Sequence, residues 1–133
     1  MKNRASYWIS LLALLAVAAL PIAAFAADPP KVAVVISVKV NGDRQVYLDK
    51  LKALQAINKR LGTPSARVWR ETFGGEGTDT IHIVTEHASL TAMSEAQAKS
   101  AADPEATKFL RDLEASGIRT VLSRSLMVDD TPN

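Results

Sequence analysis

The nine residues Val32–Val40, VAVVISVKV, limit the fold more than any other stretch of this chain. A β-branched run of this length reads as a strand, and successive side chains of a strand alternate between two faces. One set, Val34, Ile36, Val38 and Val40, is wholly apolar, whereas Ala33, Val35, Ser37 and Lys39 are mixed. A sheet built on this strand has one face fit for a core and one of different character.

The next segment supplies the cover for the apolar face. Asn41-Gly42-Asp43 marks a turn, and Asp43 is placed to cap a helix. Tyr47, Leu48, Leu51, Leu54, Ile57, Asn58 and Leu61 trace a helical stripe, apolar except at Asn58. Gly62 and Pro64 end it, glycine at the cap and proline beyond. Ala66–Phe73 and Thr80–Glu86 read as strands two and three. Ser89 caps a second helix carrying Leu90, Met93 and Ala96 on one side. Asp103-Pro104-Glu105 restarts a helix with Phe109, Leu110 and Leu113 on its apolar side, and Gly117 closes it. Arg119–Val128 is the last strand. The order β-α-β-β-α-β predicts an α+β, ferredoxin-like domain over residues 32–128, with a four-stranded antiparallel sheet and helices on one face.

Residues 1–26 stand apart from that domain. Lys2 and Arg4 precede an apolar run from Trp8 to Leu20, Pro21 breaks it, and Ala24-Phe25-Ala26 offers a peptidase site. This is the layout of a signal peptide and predicts export, into a bacterial periplasm. An uncleaved anchor is the alternative, since the run nears a membrane-spanning length. Cleavage after Ala26 leaves 107 of the 133 residues, with 14 basic and 14 acidic side chains. A neutral chain lacks the basic stripe that a nucleic-acid partner demands. No membrane partner is expected after cleavage. With no cysteine anywhere, the exported domain must hold together by packing alone. Residues 27–31 read as a short linker and 129–133 as a loose tail.

Gly74–His82, GGEGTDTIH, fits the nine-residue calcium-binding repeat G-G-x-G-x-D-x-U-x. Such repeats build cation sites in tandem, each turn giving half a cage, and a single copy cannot close one. A phosphate cradle fails too: no Lys-Ser/Thr comes after the glycines, Glu76 and Asp79 repel anions, and the next element is a strand. The stretch is a hairpin turn whose glycines can take positive φ. A loop from Gly74 to Asp79 pairs Phe73 with Thr80, Glu71 with His82, Trp69 with Val84 and Arg67 with Glu86. Two of these pairs are complementary in charge or hydrogen bonding, which favours the register.

One face of the sheet then carries Ser37, Lys39, Arg67, Trp69, Glu71, Phe73, His82, Val84 and Glu86. It is too aromatic to be idle in water and too charged for a dry core. A bare face of this kind invites a partner, and a second copy is the simplest one. Two such sheets face to face form a barrel with the mixed residues lining a cavity. The element order, the hairpin ARVWRETFGG and the helix start SLTAM make residues 32–128 resemble the dimeric α/β-barrel superfamily. That superfamily includes antibiotic-biosynthesis monooxygenase-like, EthD-like and NIPSNAP-like domains. The resemblance implies a homodimer, and an oxygen-using or haem-degrading enzyme as one option. Family members use Asn, Trp and His in the cavity; Asn41, Trp69 and His82 are of those types but match no family motif.

Lys39, Arg67, Trp69, Glu71, His82 and Glu86 are therefore the candidate ligand-binding residues. His82 is either a general base held by Glu71 or, more plainly, a hydrogen-bonded sheet histidine. Trp69 stacks on a planar ligand or simply fills an interface. Arg67 and Glu86 also read as a structural cross-strand pair, and Lys39 as an anion binder or a residue reaching water. His82 and His87, five apart, face opposite ways, which spoils a two-histidine metal site; the serines show no base partner. No metal site is expected, and no catalytic residue or cofactor is assigned. Three readings stand: a small-molecule binder, a cofactor-independent or haem-linked monooxygenase-like enzyme, and an interaction module without a ligand.

Overall fold

The computed structural model describes residues 28–73, 75 and 79–131. The expected export segment 1–26 and Ala27 lie outside the described residues, as do Gly74, residues 76–78 and the last two residues of the tail. Seven elements run in order: β1 (Val32–Val40), α1 (Arg44–Leu61), β2 (Arg67–Arg70), β3 (Ile81–His87), α2 (Leu90–Ala102), α3 (Pro104–Ala115) and β4 (Arg119–Val128). The sheet order is β2-β3-β1-β4, with every neighbouring pair antiparallel. This is the expected ferredoxin-like arrangement, its second helical segment split in two.

Capping chemistry sets the helix ends where the sequence places them. The Gln45 amide donates to Asp43 Oδ1 at 2.7 Å, opening α1. Gly62 closes α1 at φ 66°, a left-handed conformation that costs glycine little. Ser89 Oγ accepts from the Ala92 amide at 3.1 Å, and Asp103 Oδ1 from the Ala106 amide at 2.8 Å. Arg60 also donates to that Asp103 oxygen at 2.8 Å, tying the end of α1 to the start of α3.

The Arg60 guanidinium, then the Ala106 amide, hold the Asp103 carboxyl below its ordinary pKa. A carboxyl whose pKa falls on folding stabilises the native state above its unfolded pKa, and that contribution is lost as pH falls through the folded value. Asp103→Ala should therefore lower the melting temperature at neutral pH. In a thermal-melt series the gap from the parent should close as acid protonates Asp103; a gap independent of pH would remove the ionised carboxylate as its source.

The core forms on the apolar face of β1. Val38, Tyr47, Leu51, Ile81, Ile83 and Leu113 are buried together, with Ile36, Val40, Leu48 and Phe109 packed around them. Tyr47 is fully buried, and its hydroxyl accepts from Arg119 Nη1 at 3.3 Å. The helix α2 contributes less than its stripe suggests: none of its residues is fully buried, and Leu90 is half exposed.

Two expectations are corrected. The hairpin register differs by two residues, with Trp69 opposite His82, Arg67 opposite Val84, Val68 opposite Ile83 and Arg70 opposite Ile81. The reason is a wider reversal. The Glu71 amide donates to the Thr80 carbonyl and the Asp79 amide to the Glu71 carbonyl, both at 2.9 Å, so the chain turns away after Glu71. Asp79 takes φ 72° and Gly75 φ 57° within this turn. The second correction has the same cause. The strand β2 stops at Arg70, and Phe73 sits in the turn, 94% exposed, instead of on the sheet. A two-residue shift preserves the faces, because side chains repeat every two residues.

The strand β4 is an edge. Its register against β1 shifts between Ser37 and Val38, leaving Leu122 without an opposite partner, a β-bulge. Leu122, Leu126, Met127 and Val128 are all exposed. Beyond the strand, the Asp129 amide still donates to the Lys31 carbonyl at 2.9 Å.

Candidate functional site

On the face away from the helices, antiparallel pairing lines the side chains up in rows. One row runs Ser123, Ser37, His82, Trp69 across all four strands. The next, toward one end, is Ser125, Val35, Val84, Arg67. Toward the turn, Lys39 pairs with Thr120, and the Glu71 amide bonds the Thr80 carbonyl. The central row is the chemically richest.

Within it, Ser37 Oγ lies 2.9 Å from His82 Nδ1, and Glu71 Oε2 lies 3.4 Å from His82 Nε2. The side chains of His82 and Glu71 are each about one-third exposed, 32% and 33%. An ionised carboxylate only accepts hydrogen bonds, so Glu71 fixes the proton on Nε2. The lone pair on Nδ1 then accepts from the Ser37 hydroxyl. The result is a polarised chain from serine to histidine to carboxylate. Trp69, directly opposite His82 on the edge strand β2, is 60% exposed and presents a large ring beside it.

The candidate residues divide accordingly. Trp69, Glu71 and His82 come together. Arg67 and Glu86 meet at 3.7 Å as a diagonal pair, both well exposed, one and two rows away. Lys39 is exposed near the turn, beside a groove of about 480 Å³ shared with Arg44, Asp79 and Thr80. Neither side-chain pair that suggests the hairpin register is a direct cross-strand pair; both form diagonally, which long side chains reach easily.

Ser37 is the residue that sequence reasoning missed, since the serines show no base partner there. Its signal is weak but present: Ser37 belongs to the mixed set of β1. Finding its partner requires the β1–β3 register, a pairing across 45 residues. His87, as expected from its spacing, lies on the opposite face and is buried.

Among the described residues, no three His, Asp or Glu side chains cluster in a way that could hold a metal ion. The carboxylate of Asp79, which completes the calcium-repeat pattern, lies 3.7 Å from the Arg70 guanidinium. Both nitrogens of His82 face protein partners, so axial ligation of a haem by this ring would cost it the contact with Ser37 or Glu71.

No protein-family model matches the chain, and no match to a curated protein was found. Solved structures do share the fold. A variant of SnoaB, a cofactor-independent oxygenase from Streptomyces nogalater, superposes with a TM-score of 0.59 at 17% identity, covering 80% of this chain and 97% of that one. A NIPSNAP family protein from Agrobacterium tumefaciens gives 0.55 at 18%, covering 78% and 91%. A Bacteroides thetaiotaomicron protein of unknown function, described as a possible oxidoreductase, gives 0.54 at 10%, covering 77% and 99%. The ferredoxin-like fold suggested by the sequence is thus the fold of SnoaB-like and NIPSNAP-like domains.

Proposed function

We propose that this chain is an exported homodimer whose two bare sheet faces meet around a small organic molecule. The observation that carries this reading is the row Ser37–His82–Trp69, with Glu71 behind it, on a face that no helix covers among the described residues. A flat indole suits a planar ligand, and the Ser37 hydroxyl, its own hydrogen turned to His82 Nδ1, can accept from a hydroxyl or enol on its rim. A periplasmic location rests on the layout of residues 1–26 and the absence of cysteine.

A second reading, an enzyme of the cofactor-independent oxygenase kind, is favoured by the same hydrogen-bonded chain. An acidic proton of the bound molecule passes to Ser37 Oγ while Ser37 passes its own to His82 Nδ1. Glu71 then holds the imidazolium. The electron-rich organic anion left behind is the species that dioxygen attacks when no cofactor is present. SnoaB, with the same fold, is an oxygenase of that cofactor-independent kind.

Native mass spectrometry of protein purified from its own periplasm tests both. Expected are a dimer mass and a small molecule released on activation. His82→Ala should keep the dimer but weaken retention about tenfold or more, since leaving the Ser37 hydroxyl without its partner costs about 1–3 kcal/mol. A monomer at micromolar concentration, with Trp69 emitting as in water, overturns the dimer and its chamber. Ligand retention unaffected by His82→Ala removes His82 from the site.

A further inference from the structure

We infer that the helical side of the domain holds a second, independent site, for a small uncharged molecule with an apolar ring and one hydroxyl. It is a cavity of about 460 Å³ where the ends of α1 and β3 meet α2 and α3. Its walls include Thr85, His87, Ala96, Ser100 and Leu110. The sheet separates it from His82, because residues 82 and 87 face opposite ways.

The cavity has the size of single-ring ligand sites, at the small end of the usual range. Among the described residues, no acidic, lysine or arginine side chain lines it. An ionic ligand would leave water for a wall that offers no counter-charge, which disfavours charged molecules. One polar group stands out. His87 is 9% exposed, and its Nδ1 is buried with no hydrogen-bond partner. Buried polar atoms without partners are uncommon and unfavourable. A half-turn about χ2 exchanges Nδ1 with Cδ2 and alters which edge of the ring carries the free nitrogen. A hydroxyl entering the cavity can then satisfy it, donating or accepting according to the tautomer. Two of the lining hydroxyls are engaged elsewhere: Thr63 bonds the Asn58 carbonyl at 3.2 Å and Thr107 the Ala101 carbonyl at 3.3 Å. A wall surface that is mostly apolar, with one unsatisfied ring nitrogen, selects an apolar body with one hydroxyl.

Phenol and toluene, equal in shape and different in the hydroxyl, are the probes. With the chain from residue 27 labelled in its histidine nitrogens, phenol should shift the His87 resonances saturably and leave those of His82 in place. Toluene should bind about tenfold more weakly, the discrimination expected when a buried polar group goes unpaired. His87→Phe should erase the preference for phenol. Ala96→Trp, which fills the cavity from the α2 wall and leaves His87 intact, should reduce phenol binding at least about tenfold while the circular dichroism is retained. Equal binding of the two probes, no saturable shift at His87, or phenol binding unchanged by Ala96→Trp each overturns the site. None of these outcomes depends on the chamber at His82.

Discussion

Ile81→Ala is expected to destabilise the domain by about 2–5 kcal/mol, against roughly 0.5 kcal/mol for Val68→Ala. Both side chains point to the helical side of the sheet, on neighbouring strands. Ile81 is 1% exposed within the cluster of Val38, Tyr47, Leu51 and Leu113, whereas Val68 is 37% exposed on the edge strand. Truncating Ile81 removes transfer free energy and leaves a void that its rigid neighbours fill only in part. Truncating Val68 opens space that water already reaches. Domains of this size have total stabilities of about 5–15 kcal/mol, so the Ile81 variant loses a large share. Urea unfolding with m-values compared between variants provides the measurement. Equal costs for the two variants would mean that the helices do not cover the face assigned to them.

If the chain pairs through its sheet face as proposed, Trp69→Glu is expected to weaken self-association by at least about 100-fold. A central aromatic side chain at an interface contributes about 2 kcal/mol or more, and an unpaired carboxylate in its place adds a desolvation cost. Sedimentation velocity across the micromolar range reads the change directly. The control is Leu90→Glu, which also alters an exposed apolar residue but on the helical side; it should leave association unchanged. If Leu90→Glu dissociates the dimer and Trp69→Glu does not, the contact lies on the helices and the sheet face is not shared. The expected result, with Trp69→Glu dissociating the dimer and Leu90→Glu not, also separates the dimer surface from the cavity at His87.

The architecture is legible in the sequence where local chemistry decides it. The alternation of β1, the Asp43, Ser89 and Asp103 caps, and Gly62 each fix a neighbour within a few residues, and all stand where their chemistry puts them. Faces survive even where partners do not, because an even register shift returns every side chain to its own side. Pair chemistry misleads on the register itself. Arg67–Glu86 and Glu71–His82 attract each other across a diagonal as well as across a rung, so their complementarity cannot choose between them. Asp79 at positive φ, unusual for a residue with a side chain, widens the turn in a way glycine counting does not reveal. The serine–histidine contact depends on two strands meeting across 45 residues, information that no local pattern carries.

The exposed edge strand β4 has a consequence for the life of the single chain. Natural sheets blunt their edges with lysine, proline, bulges or short strands; the ten residues RTVLSRSLMV offer Arg119, Arg124 and the bulge at Leu122, with no lysine or proline. Their outer row of amides and carbonyls is a template on which another extended segment can dock. In the proposed homodimer, a copy slow to find its twin would be a nucleus for open-ended, fibril-like stacking, and quick pairing after folding would also keep the protein in solution.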